Sequence, residues 1–194
     1  MSNAYESSRY ALVNRWDRRH LERVSRVLDP RPGERVLEVG CGRGFLTKAL
    51  ADLGVDAHGV DTNPHAAENA VTDRVATMRA EALDFPDATF DKVVSVHAIE
   101  HIPDLTGALG EMARVLRPGG RAMFIYPAEP VKGIWAVPTA VILYKNPFRA
   151  TDVHVHRLTP ARLHDLAAPL GFLELHHEFN LVNSPQFISL FELG

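Results

Sequence analysis

The chain has 194 residues, 46% of them hydrophobic and 23% charged, which is enough length and apolar content for one well-buried core. A formal net charge of −3 and a pI near 6.4 supply no field to attract a polyanion, so composition implies no nucleic-acid partner and points to a small molecule. Cys41 is the single cysteine, which excludes a disulfide framework or cysteine-built zinc site and fits a reducing, cytoplasmic compartment.

The N-terminus carries no basic segment leading into an apolar core, so no secretory signal is expected. Apolar positions Leu12, Trp16, Leu21, Val24, Val27 and Leu28 recur at helical spacing and predict an amphipathic helix over 9–28, ending before Pro30. After Pro32-Gly33, the run Arg35 to Val39 reads as a buried parallel strand, and Phe45 to Leu53 as a helix stopped by Gly54. The alternation continues with strand Ala57 to Val60, helix Pro64 to Ala70, strands Val75 to Arg79 and Asp91 to Val96, helix Leu105 to Leu116 and strand Arg121 to Tyr126. Such alternation makes right-handed βαβ units. Helix Pro160 to Leu170 then precedes two strand-like runs, Phe172 to Phe179 and Gln186 to Glu192, which predict an antiparallel hairpin. The expected fold is α/β, a Rossmann-like doubly wound sheet, mostly parallel with an antiparallel C-terminal hairpin, in one domain over 1–194. The Pro- and aromatic-rich stretch 127–159 reads as an insertion. Its apolar run Ile134 to Tyr144 is broken by Pro138 and falls short of the roughly 20 residues of a spanning helix, so no membrane span is expected.

Val36-Leu37-Glu38-Val39-Gly40-Cys41-Gly42-Arg43-Gly44 places three glycines where a strand turns into a helix, so a ligand can approach bare backbone near a helix N-terminus. Asp61 lies 21 positions after Gly40 and ends the next strand, where a carboxylate can accept both ribose hydroxyls of a nucleoside. Its charge would repel a phosphate at the same place.

With these residues the chain resembles the class I S-adenosylmethionine-dependent methyltransferases, in particular the group that includes small-molecule and quinone methyltransferases. The resemblance spans Val36 to Gly171 and rests on Glu38 to Gly44, Gly59-Val60-Asp61, Glu81 to Asp87 leading into Phe90 to Val94, Ile99 to Asp104, and Leu116-Arg117-Pro118-Gly119-Gly120. It implies S-adenosylmethionine as cofactor, with Gly40, Cys41 and Gly42 wrapping the methionine part and Glu38 anchoring that end. Asp61 would hold the ribose, Thr62 and Asn63 would lie against the adenine, and Glu81 would meet its amine with Ala82 and Leu83 flanking the ring. Where the family has Asp, this chain has Glu81. His97, at the end of the fourth strand, would contact the methionine group through backbone and face the acceptor with its side chain.

Other readings of the same residues compete. A nicotinamide oxidoreductase wants a third glycine five positions after the first, and that position is Phe45. His97-Ala98-Ile99-Glu100-His101 matches an inverted zinc-protease pattern, but a strand runs directly into it, which is the wrong local structure. His154-Val155-His156 alternates as an extended segment would, bringing both rings to one side, and with no third ligand evident no metal is expected. A cofactor-binding module without catalysis is a further alternative. Tyr126, Trp135, Tyr144 and His156 are candidates for an acceptor pocket, and the run 134–144 for a lid, a packed helix, or a surface contacting a membrane or second subunit. If the acceptor needs a base, His101 or His154 is the candidate, with oxygen favoured over carbon or nitrogen as the methylated atom.

Overall fold

The computed structural model describes residues 17–181 and 184–194. The expected helix over 9–28 therefore lies partly outside the described residues. Its remainder is helix α1 (Arg18–Val27), capped by Asp17, which accepts the Arg19 N–H at 3.0 Å. Strand β1 (Arg35–Val39), helix α2 (Phe45–Asp52), strand β2 (Asp56–Asp61), helix α3 (Pro64–Glu68), strand β3 (Val75–Thr77) and strand β4 (Phe90–Val96) follow. A 3-10 turn over Ile99–His101 leads to helix α4 (Leu105–Val115) and strand β5 (Leu116–Pro127). The strand begins at Leu116, ahead of the Arg121 start that the sequence predicts, and turns through left-handed Gly119 (φ 73°), where its pairing with β4 shifts register between Phe90 and Lys92.

The stretch expected to be an insertion is largely helical. A 3-10 turn (Ile134–Ala136) runs into helix α5 (Val137–Tyr144), and a second (Pro147–Arg149) into helix α6 (Ala150–Val153). Helix α7 (Pro160–Ala167), strand β6 (Phe172–Asn180) and strand β7 (Gln186–Leu193) complete the chain.

The sheet order is β3-β2-β1-β4-β5-β7-β6. The first five strands are parallel, while β7 runs antiparallel to β5 and β6 antiparallel to β7, as the closing hairpin requires. Residues alternate between two apolar layers because adjacent side chains of a strand point to opposite faces. Leu37, Val93 and Phe124 pack with Leu109, Met112 and Leu163 of α4 and α7, whereas Val36, Val94 and Met123 pack with Val24, Leu46 and Leu50 of α1 and α2. Both faces are thus covered, and what remains open is the crevice at the carboxyl ends of β1 and β4, where the strand order reverses.

Candidate cofactor and acceptor site

Between Val39 and Phe45 the chain must turn sharply from strand to helix, and Gly40 (φ 78°) and Gly44 (φ 76°) take the left-handed conformation that the turn requires. A Cβ on Gly40 would lie 2.2 Å from Ala98 Cβ, and one on Gly44 2.4 Å from Val75 Cγ2. The bare loop faces a cavity of about 540 Å³ at the crevice, within the roughly 300–1,000 Å³ of small-molecule sites.

Glu38 borders one end of this cavity. It is buried, accepts from Thr47 Oγ1 at 2.5 Å, and burial pushes its carboxyl up to about 7. Asp61 stands at the next strand end. Its Oδ2 accepts the Gly42 N–H at 2.7 Å and its Oδ1 the Asn63 N–H at 2.9 Å, which ties the glycine loop to the acid that follows it. Burial raises the Asp61 pKa against the pull of those two bonds.

Cys41, Thr62, Asn63 and Glu81 line the cavity together with Met78, Arg79 and Ala80. Ala82 and Leu83, expected beside them, do not. A tight turn in which the Ala82 N–H donates to Arg79 O at 3.1 Å leaves Ala82 exposed. It also sends Leu83 into the core with its N–H on Glu111 Oε2 at 2.8 Å.

His97 lines the cavity in a left-handed conformation (φ 51°). Gln186 bridges it to α1: the amide N–H donates to His97 Nε2 at 3.0 Å and the amide oxygen accepts from Arg23 at 3.2 Å. His20, also from α1, places its ring 5.7 Å from that of His97. Burial, helped by His97, lowers its pKa to about 4, so it is neutral.

On the other side of His97 the cavity is bounded by Glu100, His101, Trp135, Thr139 and His154. His101 donates Nδ1–H to Val153 O at 2.8 Å, and its Nε2 lies 3.8 Å from Glu100 Oε1. His154 donates Nδ1–H to Glu129 Oε1 at 2.8 Å, and its ring centroid is 4.9 Å from that of His101. Glu129 is itself held by the N–H groups of Gly133 (2.9 Å) and Trp135 (3.2 Å). Burial alone would raise the Glu100 carboxyl, but the facing His101 and His97 hold it below the usual carboxylate range, while burial lowers His101. Glu100 Oε2 is buried and, among the described residues, accepts no hydrogen bond.

The expected pairing of His154 with His156 is not what the fold makes. Residues 154–156 form an irregular loop, and His156 turns away to donate Nε2–H to Ile102 O at 2.9 Å. His154 instead meets His101 and Glu100, whose candidate ligand atoms lie within 4.8 Å of one another, a grouping that the local sequence around His156 does not show. Tyr126 also falls outside the cavity, since both faces of β5 are covered and its hydroxyl bonds Ser189 Oγ at 2.9 Å inside the core. Tyr144 lies beneath the Arg149 guanidinium, 3.9 Å from the ring centroid, and does not line the cavity.

Sequence reasoning does not single out His20, Glu129 or Gln186. Glu129 carries a signal, being the one acid between Glu111 and Asp152.

A glycine turn opening onto a crevice, with an acid at the next strand end where a phosphate would be repelled, defines an α/β protein built for a nucleoside-bearing cofactor. Comparison with known proteins sharpens this. A family model described as a methyltransferase domain matches residues 10–177. The ubiquinone biosynthesis O-methyltransferase of Aeromonas salmonicida is 31% identical over 73% of this chain and 63% of its own length. The 2-methyl-6-phytyl-1,4-hydroquinone methyltransferase of Synechocystis sp. is 41% identical over 46% of this chain and 30% of that protein. Among solved structures, the YcgJ protein of Bacillus subtilis superposes with a TM-score of 0.71 at 18% identity, covering 92% of this chain and 100% of that one, which shows the shared fold. The chain belongs to the methyltransferase domain family, and the methyl donor that goes with this family is S-adenosylmethionine. The chain spans 43% to 65% of the length of the first curated relatives it matches. Among the described residues no helix is long and apolar enough to cross a membrane.

Proposed function

We propose that this protein transfers the methyl group of S-adenosylmethionine to a hydroxyl of a small, hydrophobic or aromatic acceptor. The observation that carries the reading is one continuous cavity whose one half is the Glu38, Gly40 to Gly42 and Asp61 cradle and whose other half presents His101 and His154 beside Trp135. Relatives named as ubiquinone biosynthesis O-methyltransferases favour oxygen, and one named for a hydroquinone favours an aromatic ring. An oxidoreductase is disfavoured by Phe45 at the third-glycine position.

The glycine loop admits a ligand against its backbone, Asp61 would accept the two ribose hydroxyls, and Glu38 would face the methionine end. The bound cofactor supplies an already electrophilic methyl group. What remains for the chain is to hold the acceptor in line and keep water out. A phenol has a pKa near about 10, so it benefits from a base at neutral pH. His154 is suited to that role, because Glu129 accepts its Nδ1–H and so leaves Nε2 as the lone-pair nitrogen of a ring that borders the cavity. His101 is oriented in the same way by Val153 O.

Methyl-tritiated S-adenosylmethionine with catechols and hydroquinones as acceptors tests the reading. Label should appear on a ring oxygen, and the paired substitution His101→Gln/His154→Gln should lower turnover by about 10²-fold or more. Full turnover by that variant would overturn the assignment of the base, and transfer only to amines would overturn the acceptor class.

A further inference from the structure

The insertion carries an unusual outer surface. Among the described residues, the large apolar side chains Val131, Ile134, Trp135, Val137, Val141, Ile142 and Phe148 are all exposed within one short segment, with Phe148 91% exposed. Helix α5 shows how the surface arises. Ala136, Ala140 and Tyr144, spaced four apart, form its inner stripe against Ala150 and Val153. Val137, Val141 and Ile142 lie off that stripe and are exposed, where a water-facing helix would carry polar residues. The helix is therefore apolar beyond its inner stripe, and its alanines are what the following helix of the same stretch covers.

Charge separates the possible partners. Residues 130–151 contain Lys132, Lys145 and Arg149 and no acid, in a chain whose net charge is −3. Lys145 is exposed, Lys132 is half-buried, and Arg149 pairs with Asp152 just beyond the segment at 2.7 Å. An apolar face with Trp and Phe, flanked by Lys and Arg, complements an anionic lipid–water interface, where aromatic rings sit at headgroup depth and basic side chains meet phosphate. The same segment borders the cavity: Trp135 and Thr139 line it, while Ile142, one turn further along the same helix face, is exposed and does not line it.

We propose that the outer face of the insertion, built on Val137, Val141, Ile142 and Phe148 with Lys132 and Lys145, docks onto an anionic phospholipid bilayer. This assignment concerns the surface and does not rest on the chemistry of the cavity. Docking there brings the segment that borders the cavity to the membrane, so that a lipophilic molecule can pass between them without crossing bulk water.

The test is co-sedimentation of the protein with sucrose-loaded vesicles, either phosphatidylcholine alone or an equal mixture of phosphatidylcholine and phosphatidylglycerol. The mixed vesicles should bind the protein at least about tenfold more tightly than the neutral ones, and raised salt should weaken that binding. Ile142→Glu and Phe148→Glu should each reduce binding to mixed vesicles about tenfold or more. Lys132→Glu/Lys145→Glu should erase the preference for anionic lipid. None of these residues lines the cavity, so calorimetric binding of S-adenosylhomocysteine serves as the folding control and should be unchanged. Absence of wild-type sedimentation with mixed vesicles overturns the proposal, as does binding that the Glu variants retain. A concentration-dependent dimer in light scattering, lost in Ile142→Glu, would assign the face to a second copy of the chain and equally overturn it.

Discussion

Gly40→Ala is the perturbation whose consequence the structure specifies best. Any L side chain at φ 78° carries left-handed strain of roughly 1–2 kcal/mol. The new methyl would also lie 2.2 Å from Ala98 Cβ, where ordinary carbon contacts are about 3.5–4.0 Å. The turn over 97–101 must then recede by more than about 1 Å, and overpacking of this kind adds about 1–3 kcal/mol. The sum, about 2–5 kcal/mol, corresponds to a fall in Tm of roughly 5–15 °C for a chain of this size. Gly33→Ala is the matched control, because Gly33 has φ 85° but, among the described residues, nothing within 4 Å of its would-be Cβ. It should show the strain alone, about 1–2 kcal/mol. Adding Ala98→Gly to Gly40→Ala should recover the contact part of the loss and nothing in the Gly33 background, a coupling that differential scanning calorimetry resolves. Because His97, Glu100 and His101 ride on the displaced turn, affinity for S-adenosylhomocysteine should fall and recover in parallel. Equal losses for the two glycine variants, or no recovery with Ala98→Gly, would refute the reasoning.

Two further outcomes follow from the buried acids. Glu38 has its folded pKa raised by burial to about 7 from an ordinary 4.5, so the folded state binds the extra proton between those values. Its contribution is fully present below the unfolded pKa and is lost as pH rises through about 7, a difference of about 3 kcal/mol. Urea unfolding without cofactor should therefore show stability falling from about pH 5 to about pH 8 in the wild type and a flatter profile in Glu38→Gln; parallel profiles would contradict it. Glu129→Gln removes the carboxylate that fixes His154, so kcat should drop by about tenfold or more. Affinity for S-adenosylhomocysteine should stay the same, since Glu129 does not line the cavity, and a change in that affinity with kcat intact would assign Glu129 a purely structural part.

What is local is legible in the sequence. The β-branched run of β1, the glycines that close it and the acid that ends β2 lie within 27 residues, and short-range backbone requirements dictate each. The closing hairpin is readable for the same reason, from two alternating runs and a turn. Pairings made by tertiary closure are not. Glu129 and His154 sit 25 residues apart at the two ends of the insertion and meet only when its helices fold back. Tyr126 escapes a sequence reading because β5 is covered on both faces, so periodicity does not say which side of it looks toward the cavity. Ala82 and Leu83 depart from what the resemblance implies because of the tight turn that this chain makes at Arg79.

The proposed cofactor site centres on Asp61, and calorimetric titration with S-adenosylmethionine, S-adenosylhomocysteine and NADH, on wild type and Asp61→Ala, tests it most directly. The first two should bind and the third should not, with Asp61→Ala weakening the binding at least about 100-fold, as loss of two hydrogen bonds to a charged group implies. Binding of NADH alone, or unchanged affinity in Asp61→Ala, would contradict the assignment.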